Sequence, residues 1–194
     1  MKVLNQSKVV GAIVLIGVLG LATVAGAASS PVHARSTSPR HTLVAKTKKM
    51  AFRGSYSGNI SMLWSSSAVS VTALSGTGTS TLPGTSTLSG TGSSNPSSTC
   101  DPFSGTGTIR SGSSMIHFKV ISSSSQQACA ANDAAPTNVT VKGVATVLSG
   151  TGKFAGAKGT LAIAGSFSIK STTAGSSESD SFTTTLKGTL TVRG

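Results

Sequence analysis

The chain of 194 residues carries few charges but a large positive excess. Charged residues make up 10% of the sequence and aromatic residues 4%, yet the formal net charge is +12 at pH 7. The length suits one domain with a terminal extension. A chain with one Trp, one Tyr and no recognisable recognition motif is not expected to bind nucleic acid.

The first 34 residues have the pattern of an export signal. Two lysines precede an apolar run over 9–25, and small residues follow the run. This pattern predicts a signal helix over 1–34 that is removed after Ala34, or alternatively after Ala27, and therefore a secreted, extracellular protein. The apolar run approaches the length that spans a bilayer, so an uncleaved N-terminal membrane anchor is the alternative.

Basic residues cluster between this signal and the first predicted strand. Segment 35–50 is rich in Ser, Thr and Pro, a composition that predicts a disordered linker. We expect this basic tail to bind an anionic cell-surface polymer or a membrane; the alternative is a solvated linker with no partner. The basic residues of the tail are Arg35, Arg40, Lys46, Lys48, Lys49 and Arg53.

Segment 51–194 shows the period of two that is typical of half-buried strands. From Phe52 to Met62, every second residue is apolar, aromatic or glycine, and the residues between them are mostly polar. The segments 161–169 and 182–192 alternate in the same way. We therefore predict eight strands, near 51–62, 67–79, 84–93, 103–110, 114–122, 137–149, 160–171 and 180–193.

Eight consecutive strands with internal glycines predict a closed, up-and-down antiparallel β-barrel. Closure removes exposed strand edges, and glycine permits the bends that closure requires. The tetrapeptide Ser-Gly-Thr-Gly begins at Ser75, Ser89, Ser104 and Ser149, which supports successive hairpins. A β-solenoid, the competing architecture, is rejected because the strands differ in composition and the repeat lapses between Ser104 and Ser149.

In such a barrel the longer connections share one end, which we call the mouth. Cys100 and Cys129 fall in two of these connections, 94–102 and 123–136. An even number of cysteines in an exported chain predicts a disulfide between them, with two free thiols as the alternative. Two cysteines and a lone His117 do not make a zinc site, so no metal or cofactor is expected.

The four carboxylates of the domain all fall at or beside the predicted mouth: Asp101, Asp133, Glu178 and Asp180. Carboxylate oxygens suit a hard cation such as calcium, and a carboxylate pair suits acid–base catalysis. The third interpretation is that these side chains only meet water in surface loops. Trp64 is a candidate ligand contact at the mouth because its ring joins an apolar face to a polar N–H, with ordinary packing as the alternative.

A glycine-rich segment, Gly150-Thr-Gly-Lys-Phe-Ala-Gly-Ala-Lys-Gly159, resembles the GTGxFxxAxG signature of dirigent and allene oxide cyclase barrels, and of secreted bacterial barrels that share it. The resemblance implies an eight-stranded barrel over most of 51–194 with an interior that holds a hydrophobic substrate. In the plant families charged and tyrosine side chains act there. Tyr56, the only tyrosine, is then a second candidate ligand contact. The residues that carry the signature are Gly150, Gly152, Phe154, Gly156, Ala157 and Gly159.

These features together favour an exported, non-enzymatic β-barrel that binds a small apolar ligand or an anionic cell surface. The inferred interior faces lack a paired Asp and Arg, which weighs against catalysis. One alternative, implied by the resemblance, is an isomerase or cyclase that acts on a hydrophobic substrate in the barrel. Another is a structural or adhesive wall or matrix protein that makes contacts through its Thr-rich outer faces and its tail. The sequence assigns no oligomeric state.

Overall fold

The structure, a computed structural model, describes residues 46–82 and 84–194. The predictions for the signal helix, its cleavage, Arg35 and Arg40 fall outside these residues. Across the two described ranges, no helix has the length and apolar content needed to cross a membrane.

The described chain is built from nine strands and one turn of 3-10 helix. Each predicted strand has a counterpart whose ends differ from the prediction by no more than four residues. The first strand begins at Thr47, so Lys48 and Lys49 belong to the barrel and not to a linker. The strands are β1 (Thr47–Trp64), β2 (Val69–Ser80), β3 (Thr85–Ser94), β4 (Cys100–Ser111), β5 (Ser114–Val120), β6 (Gln127–Ala130), β7 (Thr137–Thr151), β8 (Lys158–Ile169) and β9 (Ser177–Arg193), with the 3-10 turn at Gly152–Phe154.

The strands form one antiparallel sheet that closes on itself. Neighbours in the chain pair from β1 to β5 and from β7 to β9, while β5 pairs with β7 and β9 pairs with β1. The predicted closed, eight-stranded antiparallel barrel is therefore confirmed, with one additional short strand. Each of its eight positions has a hydrogen-bonded neighbour on both sides, which leaves no long edge open to another chain.

The additional strand, β6, continues the position that β5 occupies between β4 and β7. Val120 at the end of β5 lies opposite Gly105, and Gln127 at the start of β6 lies opposite Pro102. Residues 121–126 therefore leave the wall and return to it. The sequence does not predict β6, because a strand of four residues is too short to show a period of two.

Side chains alternate between the interior and the solvent along the long strands. The inward positions predicted from Phe52, Leu161 and Phe182 all lie on the inner face, and these three side chains are buried. Exposed Ser and Thr residues occupy most outward positions of β2 and β3. The period of two in the sequence therefore correctly predicts which face of each strand packs against the core.

The segment that carries the sequence signature closes the end of the barrel opposite the mouth. Phe154 is buried, and its ring meets that of Phe52 edge-on with 5.9 Å between the ring centroids. Gly152 and Gly156 have φ values of +58° and +69°, which residues with a side chain rarely adopt. The segment thus turns the chain from β7 into β8 and fills this closed end.

Three of the Ser-Gly-Thr-Gly segments lie side by side on β2, β3 and β4, with their glycines facing inward. Gly90 lies opposite Gly107, and Gly92 lies opposite Gly105. Phe118 of β5 also lies opposite Gly107, and a Cβ atom added at Gly107 would overlap the ring of Phe118. Gly107 therefore makes room for the Phe118 ring, whereas a Cβ atom at Gly90, Gly92 or Gly105 would meet a backbone carbonyl oxygen.

We expect Gly107→Ala to lower the free energy of unfolding by about 1–3 kcal/mol, because the new methyl group must displace the Phe118 ring. Urea unfolding of the purified variant measures this change. Thr106→Ala, at the adjacent outward position, is the control and should change the free energy by less than about 0.5 kcal/mol. The penalty should shrink when Phe118→Leu is added; an unchanged penalty in that double variant would contradict the explanation.

Candidate functional site

The half of the barrel nearer the mouth contains a cavity of about 640 Å³. Leu88 and Leu186 are its deepest lining residues on β3 and β9, and at the mouth the connections 65–68, 95–99 and 131–136 border it. The volume falls within the range of about 300–1,000 Å³ that is usual for small-molecule sites. Beneath the cavity the interior is filled by Phe52, Tyr56, Ile109, Ile116, Phe154, Leu161 and Leu190.

The cavity exists because inward positions of two adjacent strands have no side chain. Gly90 and Gly92 of β3 and Gly105 and Gly107 of β4 all line it. A Cβ atom at Gly90 would lie 2.6 Å from the carbonyl oxygen of Thr106, so these strands also approach each other more closely than larger residues allow. The sequence already indicates that these glycines face inward, because the period of two places them on the same strand face as neighbouring apolar residues.

Apolar side chains form most of the cavity wall. Among the described residues that line it, none is Lys, Arg or His, and Asp101 and Asp133 are the only carboxylates. Transfer of an apolar ligand from water into such a cavity is favourable by about 25 cal/mol for each Å² of apolar surface buried. The aromatic residues of the wall are Trp64, Phe103, Phe118, Phe167 and Phe182.

Trp64 lies at the mouth and lines the cavity. Its side chain is 6% exposed and packs with Val139 of β7 and Ile169 of β8. Its indole Nε1 donates a hydrogen bond of 3.0 Å to Oε1 of Glu178. The ring is therefore held in place at the rim, where a bound molecule would contact it.

Tyr56, the second candidate ligand contact, belongs to the filled half of the barrel and does not line the cavity. Its hydroxyl accepts a hydrogen bond of 3.2 Å from Ser86 Oγ, which is fully buried. Burial raises the pKa of the Tyr56 phenol. This position is that of a core residue with a satisfied polar group.

The four carboxylates do not converge on one point. Glu178 accepts hydrogen bonds from the Trp64 indole and from the backbone N–H of Lys170, at 3.0 and 2.8 Å. Asp180 Oδ2 lies 3.2 Å from the Lys170 ammonium group. Among the described residues, no group of three or more His, Cys, Asp or Glu side chains is arranged to hold a metal ion.

Asp101 is a buried carboxylate at the cavity wall. The backbone N–H of Ser98 donates to both of its oxygens at 3.2 Å, and Ser97 Oγ donates to Oδ1 at 3.0 Å. Burial raises the pKa of the Asp101 carboxyl, but these hydrogen bonds outweigh burial and bring the pKa below its ordinary value. Asp101 therefore keeps its negative charge near neutral pH.

The predicted disulfide between Cys100 and Cys129 is confirmed. The two residues lie directly opposite each other on β4 and β6, not in loops. Closing a loop with a sequence separation of 29 stabilises the fold by about 3–4 kcal/mol in the chain-entropy account. Because Ala128 and Ala130 of β6 line the cavity, the bond also holds part of the cavity wall in place.

Basic residues gather at the closed end of the barrel, which we call the basic end. The strand ends and turns there contain no Asp or Glu among the residues that the structure describes. Four predicted tail residues, Lys46, Lys48, Lys49 and Arg53, lie at this end. The basic end comprises Lys46, Lys48, Lys49, Arg53, Arg110, Lys153, Lys158, Lys187 and Arg193.

Comparison of the chain with protein-family models, curated proteins and solved structures finds no match. The resemblance of segment 150–159 to the dirigent and allene oxide cyclase signature therefore stays a prediction from the sequence. The cavity and the distribution of charge are the features from which a function can be inferred.

The lowered pKa of Asp101 predicts how the stability of the barrel changes with pH. A carboxyl with a lower pKa in the folded state stabilises the fold above its unfolded pKa of about 4, and this contribution is lost as the pH falls through the folded value. The difference in free energy of unfolding between the wild type and Asp101→Asn should therefore shrink on acidification. Urea unfolding of both proteins over a series of pH values measures it; a difference that stays constant would contradict the prediction.

Proposed function

We propose that this protein is a non-enzymatic, exported barrel that binds a small apolar molecule in its cavity. The observation that carries the proposal is the cavity of about 640 Å³ walled by apolar side chains and glycine. Native interiors seldom leave voids much larger than a water molecule, and the other half of this barrel is filled. The mouth half of the barrel is open while the other half is filled, and this contrast supports the proposal that a ligand binds in the cavity.

Catalysis in the same cavity has less support. General acid–base chemistry needs a titratable group within hydrogen-bond reach of the reacting atoms. In the part of the chain that the structure describes, Asp101 and Asp133 are the only titratable side chains of the wall, and both belong to its mouth. The isomerase or cyclase activity that the sequence resemblance implies would need such groups deeper in the cavity, where the wall is apolar.

A substitution that fills the cavity tests the binding proposal. Val141 and Lys142 are adjacent on β7, but Val141 lines the cavity while Lys142 is exposed on the outer face. We expect Val141→Phe to weaken the binding of the uncharged dye Nile red by at least about tenfold, which corresponds to about 1.4 kcal/mol. Lys142→Phe, the matched control, should bind the dye as the wild type does.

Dye fluorescence titration gives the affinities, and urea unfolding checks that both variants are folded. Equal binding by the two variants, or no binding by the wild type, would contradict the proposal. Native mass spectrometry of the protein purified from its source cells is the complementary measurement. An additional mass that organic solvent releases would support a natural ligand and identify it.

A second candidate function, attachment to an anionic surface, is supported by the separation of charge along the barrel. The basic end presents nine cationic side chains, and the predicted tail would add Arg35 and Arg40. Exposed charges of one sign attract the opposite charge over roughly one Debye length, about 8 Å at physiological ionic strength. In such an attachment the mouth would face away from the surface.

We expect the triple variant Lys48→Gln, Lys49→Gln, Arg53→Gln to lose most of its sedimentation with phosphatidylglycerol vesicles. A matched variant with the same loss of charge elsewhere, Lys119→Gln, Lys142→Gln, Lys170→Gln, should sediment like the wild type. Raising the salt concentration should release the wild type, because salt screens surface charges. If the two variants lost sedimentation equally, binding would depend on net charge alone, which would contradict specific binding by the basic end.

A further inference from the structure

The mouth of the cavity is polar, and its polar groups differ in what they can recognise. Serine and threonine side chains there both donate and accept hydrogen bonds, so they accommodate many polar groups. Asp101 and Asp133 accept only and carry negative charge. Within residues 46–82 and 84–194, no Lys, Arg or His lines the cavity, so no opposite charge in this part of its wall offsets the two carboxylates. Ser65, Ser97 and Thr137 are among these hydroxyl-bearing residues.

Asp101 has unused capacity to accept a hydrogen bond. A carboxylate offers about four lone-pair sites on its two oxygens. Oδ1 receives hydrogen bonds from Ser97 and Ser98, whereas Oδ2 receives only the backbone N–H of Ser98 among the described residues. The Lys170 ammonium lies 3.2 Å from Asp180 Oδ2, and neither residue lines the cavity.

The depth of the cavity offers little to a polar group. Its wall there includes Leu88, Phe182 and Leu186 together with the glycines of β3 and β4. The hydroxyl of Thr184, on the same face, already donates a hydrogen bond of 3.1 Å to the carbonyl oxygen of Ala164. Burying a polar group without a hydrogen-bond partner is costly. The polar end of a bound molecule must therefore lie at the mouth, within the field of Asp101 and Asp133.

We infer that the ligand of this cavity is an apolar molecule whose polar end is an uncharged or positively charged hydrogen-bond donor, such as a hydroxyl or ammonium group, and not an anion. This inference rests on the proposed binding function and names the chemical class that the mouth selects. A carboxylate or phosphate end would be repelled by two like charges with no cation to offset them. A hydroxyl or ammonium end donates to the free acceptor positions of the same carboxylates.

Three probes with the same alkyl chain separate these possibilities: decanol, decylammonium and decanoate. We would titrate each, below its micelle concentration and near neutral pH, into purified protein whose native mass shows that no molecule is bound. Trp64 is the only Trp in the chain and lines the cavity, so its fluorescence reports binding, and calorimetry provides an independent affinity. We expect decanol and decylammonium to bind at least about tenfold more tightly than decanoate, a difference of about 1.4 kcal/mol.

Asp133→Asn should reduce the preference for decylammonium over decanoate several-fold and leave decanol binding unchanged. Asp180→Asn removes a carboxylate outside the cavity wall and is the matched control, with an expected preference like that of the wild type. Decanoate binding as tightly as the other two probes, or an unchanged preference in Asp133→Asn, would overturn the inference while the binding function stands. Binding of none of the three probes would overturn the binding function and the inference with it.

Discussion

The architecture depends on the close approach of neighbouring strands in the closed barrel. Wherever two backbones come this close, the inward position must hold a small residue. Gly90, Gly92, Gly105 and Gly107 meet this constraint on β3 and β4, where an added Cβ atom would meet a carbonyl oxygen or the Phe118 ring. Glycine weakens a flat strand, but here it permits a tightly coiled wall. The same absence of side chains leaves the space in which a ligand can bind.

The barrel is consequently divided along its axis. The closed end is packed around Phe52 and Phe154, which edge-to-face contact and burial hold together. The mouth end is open inside and is held together by its wall, including the disulfide that joins β4 to β6. Charge follows the same division in part, with nine cations at the closed end and the carboxylates towards the mouth, where Lys142 and Lys170 also lie. A packed closed end and an open mouth are compatible with the proposed binding of a ligand at one end and of an anionic surface at the other.

The sequence predicts the fold far better than it predicts the site. Alternation identifies the eight barrel strands and their inner faces, and the even cysteine count identifies the disulfide. The four carboxylates, by contrast, share an end of the barrel without forming a common site. Glu178 accepts a hydrogen bond from the Trp64 indole, and Asp180 pairs with Lys170. Sequence position places a side chain at an end of the barrel, but it does not say which neighbour uses its hydrogen-bonding capacity.

The sequence by itself determined the class of fold, because a period of two and turn-forming residues act locally, within a strand and its hairpin. Only the tertiary structure decided that β6 completes the wall, that Tyr56 is a core residue and that the inward glycines leave a cavity. Each of these depends on residues far apart in the chain meeting across the barrel, and packing between strands is not a local property.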